Sequence, residues 1–282
     1  MKYKSLCFLL PLLLILIITA GCFRKTVPAP IGGTQTPMQS ANDPALPPGY
    51  VFLDRQTGDV TGDGKSKDIF LIGRKPDANS KYADDLSIIV QATGAGQNPV
   101  TLKLPNVGGY ESKLFIGDFS GDKIADVFVT VPTGGSGGMI EHRIATFVGE
   151  PKIIWGPEEN KGIVATGSFI NGFKAELTEE ATKRKVTIDL TNKKDAYLKA
   201  KLYDASGTLL RQQNVSVISL GELTPLDLEH NGIYGLRGQQ RATGIANADT
   251  VAYIYSFWKY ENQKWTAKQI EVSSILLGYG EK

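Results

Sequence analysis

A chain of 282 residues with 31 basic against 29 acidic side chains carries no electrostatic footprint for nucleic acid, whose binding depends on neutralising phosphates. Hydrophobic residues make up 41% of it, enough for a sizeable core in one or two domains. Two histidines and two cysteines, scattered along the chain, exclude a zinc site of ordinary ligand set.

The first residues carry Lys2 and Lys4 and no acid, and residues 6–18 hold nothing charged, which is the n-region and h-region of a signal peptide. That apolar run of 13 residues falls short of the roughly 20 that span a hydrocarbon core, and Pro11 interrupts it, so a cleaved signal is favoured over a permanent span. Thr19, Ala20, Gly21 and Cys22 follow. They resemble the lipobox of bacterial lipoproteins, with Thr19 standing where leucine is usual. The resemblance implies cleavage after residue 21 and lipid on Cys22, which holds the protein on the extracytoplasmic face of a cell membrane. Removing residues 1–21 discards Lys2, Lys4 and no acid, so 31 against 29 becomes 29 against 29. It also discards Cys7, so the mature chain has no internal disulfide and rests on its core, with bound metal as a possible aid.

Residues 22–49 form a linker: Pro28, Pro30, Pro37, Pro44, Pro47 and Pro48 sit among small polar residues. From residue 50 to 282, short apolar or alternating runs (69–73, 86–91, 100–104, 113–117, 127–131, 186–190, 196–203, 251–260) are separated by turn residues, with no helix-period stretch. The fold class expected is all-β. Residues 59–68 (DVTGDGKSKD) and 118–126 (DFSGDKIAD) are two copies of one acidic loop, each leading into a strand. Degraded copies stand at 167–177 (GSFINGFKAEL) and 227–236 (DLEHNGIYGL). Each interval between copies holds about four short strands, the content of a propeller blade. The expected architecture is therefore a four-repeat β-propeller-like domain, closed by a strand at 50–54 that completes the last blade; a β-sandwich is the alternative.

Calcium takes several hard oxygen ligands around a tight turn. In the second loop Asp118, Ser120, Asp122 and Asp126 supply side-chain oxygens at positions 1, 3, 5 and 9, with the Ile124 carbonyl between them and Gly121 at the bend. The first loop offers Asp59, Thr61, Asp63 and the Lys65 carbonyl, with Asp68 brought in by one bulged residue because Lys67 occupies position 9. The fourth offers Asp227, Glu229, Asn231 and the Ile233 carbonyl, but Gly235 replaces the closing acid. The third retains only Glu176 among acids. These loops resemble the calcium loops of FG-GAP and VCBS repeat proteins, integrin-type β-propellers among them. The resemblance implies a calcium ion that braces a blade away from any catalytic centre.

Gly134 to Gly138 satisfies G-x-S-x-G with Ser136 at its centre and His142 six residues on, but a strand follows where a nucleophile elbow needs a helix. Other acids, Asp84, Asp85, Glu179 and Glu180, lie in polar turns, and His230 inside the fourth loop is expected to face solvent. Tyr253, Tyr255, Phe257, Trp258, Tyr260 and Trp265 form either a buried inner strand or a surface for sugars or protein. The function expected is a non-enzymatic, membrane-anchored, calcium-braced binding or scaffold module for an extracytoplasmic protein or polysaccharide, with no nucleic-acid partner. The alternatives are an extracytoplasmic hydrolase of polysaccharide or ester substrates and a transporter's solute-binding lipoprotein.

Overall fold

The structure, a computed structural model, describes residues 43–92, 98–135 and 137–275. The expected signal peptide, Cys22, most of the expected linker and Ser136 lie outside them. Among the described residues no helix is long and apolar enough to cross a membrane. The fold is all-β, and the one α-helix among the described residues, α1, is a single short piece (Lys194–Lys199).

Runs rich in β-branched and aromatic residues pair with their nearest neighbours in sequence. The first sheet takes β1 (Tyr50–Gly58), β2 (Lys67–Arg74), β3 (Tyr82–Val90) and β4 (Val100–Lys103) in chain order, all antiparallel, with β5 (Gly109–Tyr110) added beside the start of β3. The second repeats the plan with β6 (Lys113–Gly117), β7 (Asp126–Pro132), β8 (Ile140–Thr146) and β9 (Lys152–Trp155). The third has eight strands: β10 (Ala165–Ile170), β11 (Lys174–Glu179), β12 (Lys185–Asp189), β13 (Asn214–Val217), β14 (Glu222–Leu226), β15 (Gly235–Thr243), β16 (Thr250–Glu261) and β17 (Lys264–Ser274). Within it β14 to β17 form a third antiparallel meander. Along the same edge of β15, β13 continues where β14 leaves off and joins on β10, β11 and β12.

Alternation along the strands decides how the sheets stack. Successive side chains of a strand point to opposite faces, so a strand buried on both sides serves two cores. On β2, Ile69 and Leu71 enter a core shared with Val127, Val129 and Val131 of β7, while Phe70 and Ile72 enter a small cluster on the opposite face. On β7, Phe128 points away from that shared core and packs with Phe119, Trp155, Leu223, Leu236 and Trp265, joining the second sheet to the third. Asp54 adds a polar tie between the first two sheets, its Oδ2 accepting the Leu114 N–H at 2.8 Å. The third sheet curls around a core that includes Phe169, Leu177, Tyr197 and Ile254, and brings its end strands β12 and β17 together. A cleft of ≈ 410 Å³ lies there, lined in part by Leu177, Val186, Ile254 and Val272.

Four expectations change. Strand β1 pairs with β2 and so opens the first meander rather than completing the last. Segment 165–217 does not make a blade of its own but extends the third sheet through β13. Three sheets stacked face to face are also one layer more than a two-sheet sandwich. Finally, the end of the expected linker belongs to the fold: Leu46 packs against the Phe52 and Phe70 cluster, Tyr50 N–H donates to the Pro47 carbonyl at 3.1 Å, and Asp43 pairs with Arg55 at 3.5 Å.

Candidate metal centre

Each meander turns from its first strand into its second through an acidic loop: 59–66 between β1 and β2, 118–125 between β6 and β7, and 227–234 between β14 and β15. The three loops share one backbone design. The leading aspartate accepts the N–H of the sixth residue: Asp59 from Gly64 at 2.8 Å, Asp118 from Lys123 at 2.9 Å, Asp227 from Gly232 at 2.9 Å. The fifth residue accepts the N–H of the seventh: Asp63 from Lys65 at 3.0 Å, Asp122 from Ile124 at 2.9 Å, Asn231 from Ile233 at 2.9 Å. Residues four and six are left-handed in all three, with φ of 76° and 76° at Gly62 and Gly64, 79° and 70° at Gly121 and Lys123, and 52° and 85° at His230 and Gly232. Lys123 and His230 hold that conformation without glycine's freedom, at a cost of about 1–2 kcal/mol each.

The loops are also stacked. The Ile124 side chain lies 2.5 Å from where a Cβ on Gly62 would stand, and Ile233 lies 3.8 Å from the same point on Gly121. Thus the seventh residue of one loop covers the fourth residue of the loop before it. The Asp118 carbonyl, moreover, accepts the Tyr234 N–H at 2.7 Å, which sets the second and fourth loops side by side.

They differ in charge. In the second loop Asp126 has no exposed surface, and its Oδ2 accepts the N–H groups of Phe119 at 3.0 Å and Ser120 at 2.8 Å. Its Oδ1 and the Ser120 Oγ are equally shut off from solvent and close no hydrogen bond of full geometry, although the Thr146 and Ser120 hydroxyls lie near enough to the carboxylate to favour its charged form. Burial pushes the Asp126 carboxyl up to about 6, against the opposing pull of those two N–H groups and the nearby Thr146 and Ser120 hydroxyls. A buried carboxylate oxygen and hydroxyl in no hydrogen bond of full geometry are the donor set that a hard cation satisfies. Asp118 and Asp122 lean on main-chain N–H groups, and among the described residues no three His, Cys, Asp or Glu side chains gather in one cluster. A cation held in this loop would have to draw on hydroxyl and carbonyl oxygens as well as carboxylates.

In the first loop the interior oxygens meet an ammonium. Lys67 Nζ donates to Thr61 Oγ1 at 2.8 Å, to the Lys65 carbonyl at 3.4 Å and to Asp63. Asp68, expected to close this loop, instead pairs with Arg55 at 2.9 Å. The reason is register: Gly58 pairs with Lys67 and Thr57 with Asp68 without a bulge, so alternation turns Lys67 toward the loop and Asp68 away. In the fourth loop Glu229 engages Lys259 and accepts from Asn231 Nδ2 at 3.2 Å. A side chain at Gly235 would strike the Phe257 ring at 2.5 Å, which accounts for the missing closing acid.

The remaining candidates are dispersed. Ser168 lies in β10 opposite Glu176, in a plain hairpin whose Asn171 accepts the Leu209 N–H at 2.9 Å, so the third copy is not a corner of this kind. His142 is core, stacked on Phe128 at 5.5 Å between ring centres; desolvation, helped by Arg143, lowers its pKa to about 3. His230 is exposed, and Asp84 and Asp85 pair with Arg74 and Lys103. The aromatics of β16 divide by face: Trp258 and Tyr260 pack with Trp265 in the core between sheets, while Tyr253 and Tyr255 stack half-exposed, with Arg237 4.7 Å above the Tyr255 ring. Lys67, Lys259 and Arg55, which pair with acids of these loops, are the partners that motif reading passes over. A lysine at the ninth position of the first loop is the visible signal for the first of them.

Residues 163–273 match the family model described as the YybI C-terminal domain, a span that coincides with the third sheet. The Bacillus subtilis (strain 168) protein named "Uncharacterized protein YybI" is 30% identical over 210 residues, covering 74% of this chain and 79% of that protein. No solved structure matches. At that identity, with 74% of this chain and 79% of the B. subtilis protein covered, the chain belongs to the YybI family.

Proposed function

We propose that this protein is an extracytoplasmic lipoprotein, tethered through lipid on Cys22, whose stacked propeller-like meanders form a non-catalytic binding or scaffold module braced by calcium in the 118–126 loop. The observation that carries it is the buried Asp126 Oδ1 and the buried Ser120 Oγ, neither in a hydrogen bond of full geometry, at the foot of a loop with calcium-type spacing. Asp118, Ser120, Asp122, Asp126 and the Ile124 carbonyl are the residues that would hold the ion. It would supply charge neutralisation and stiffness to that corner. A half-exposed stripe of Tyr253 and Tyr255, with Arg237 over one ring, supports a protein or polysaccharide partner, because aromatic faces supply contact area at small entropic cost.

Calcium at ten times its dissociation constant is expected to stabilise the domain by about 1.4 kcal/mol, raising its melting temperature by a few degrees. Extracellular modules bind at roughly 0.1–1 mM, so the titration should reach about 10 mM. Differential scanning fluorimetry of the wild type, Asp118→Ala and Asp122→Ala in EDTA and in calcium checks this; a wild type that does not respond removes the metal. Separately, Cys22→Ser is expected to move the protein from the membrane fraction to the medium and to abolish labelling by an alkyne fatty acid. Unchanged fractionation would remove the anchor.

A further inference from the structure

The first and second loops share a backbone but not a charge balance. A calcium loop draws on the side chains at positions three and five and the carbonyl at position seven. In loop 59–66 those oxygens belong to Thr61, Asp63 and Lys65, and all three are bonded to Lys67 Nζ. Three acceptors meet three donors, because an ammonium carries three N–H groups around one compact charge. Lys67 is itself the ninth residue, the place of Asp126 in the second loop, and only 7% of its side chain is exposed. Its backbone is fixed at the start of β2 by the ladder with Gly58. In the second loop no lysine does this: Lys123 points to solvent, and it is the acid at position nine that lies buried.

We propose that the Lys67 ammonium is the resident cation of loop 59–66. It occupies the position of a divalent ion, so this loop folds without metal, rejects calcium, and leaves the neighbouring 118–126 loop to bind calcium without competition from it. The contact of Ile124 with Gly62 then sets the calcium loop against a wall that is already ordered when metal is absent.

Two measurements test it. Acylation of the wild type by a water-soluble acetyl ester in EDTA, followed by peptide mass spectrometry, should label Lys67 roughly tenfold more slowly than exposed Lys65. Equal rates would overturn the proposal, and this arm needs no variant to fold. In the second, Lys67→Asp is built on Asp122→Ala, which removes the second loop's calcium response. The double variant should regain a calcium-dependent rise in melting temperature that Asp122→Ala lacks, and Lys67→Met should melt lower than wild type in EDTA. A folded double variant blind to calcium, with Lys67→Met as stable as wild type, would also overturn the proposal. Failure of calcium to bind the second loop would show separately, as an unresponsive wild type with Lys67 still protected.

Discussion

Asp126→Asn is expected to make the metal-free protein more stable at pH 7.5 while abolishing its response to calcium. The residue is wholly buried, and desolvation carries its carboxyl from 3.8 to about 6. At about 1.4 kcal/mol per pH unit, keeping it ionised at neutral pH costs about 3 kcal/mol. Asparagine keeps an acceptor for the Phe119 and Ser120 N–H groups but carries no charge. Below about pH 4 folded and unfolded states both hold the proton, so wild type and variant converge. As pH rises through 6 the folded wild type must release a proton it held more tightly than the unfolded chain, and its stability falls. Urea midpoints in EDTA at pH 4 and 7.5 measure the divergence. A variant less stable than wild type at the higher pH would mean that the carboxylate serves the fold and not an ion. Stability given up at a site and regained with a ligand is the usual mark of a functional position.

Acid is expected to unfold the wild type well before His142→Phe. The imidazole is 1% exposed, its Nε2 has no partner, and its folded pKa lies at about 3 instead of 6.5. A histidine kept neutral by burial leaves the unfolded chain to take up the proton first. Its contribution is therefore complete above 6.5 and is lost as pH falls toward 3, at about 1.4 kcal/mol per unit. By pH 4 the wild type should have lost about 3 kcal/mol relative to the variant. Phenylalanine preserves the stack on Phe128 and the bond from the residue 142 N–H to Asn160 Oδ1 at 3.0 Å, neither of which needs a titrating ring. Urea midpoints from pH 7 to 4 for both proteins decide the matter, and parallel profiles would refute it. Asp126 titrates in both and cancels in the difference.

Much of this was legible in the order of residues. Period-two runs such as 69–72 are strands because their two faces enter two cores, and Asp-x-x-Gly-Asp spacing located the first two corners because glycine is needed where φ is positive and a neighbour's isoleucine presses close. The third copy misled because Asn171 and Gly172 fit a hairpin turn as well as an acidic loop, and only the pairing of Ser168 with Glu176 separates the two. Asp68 misled for a different reason. Its charge fitted a ligand, but strand alternation, already visible as Lys67 beside it, sends the lysine inward. The joining of β13 to β15 depends on contacts distant in sequence, which no local pattern encodes. Prolines 44, 47 and 48 disguised a segment whose Leu46 is anchored.

Because Ile124 seats on Gly62 and Ile233 on Gly121, the three meanders are bound like pages sewn along a single margin. Trimming Ile124 would loosen two leaves at once, whereas a change on the opposite margin touches one. Any stiffening at the middle stitch is therefore felt by both neighbours, and a mutation's reach through this domain depends on its distance from the spine.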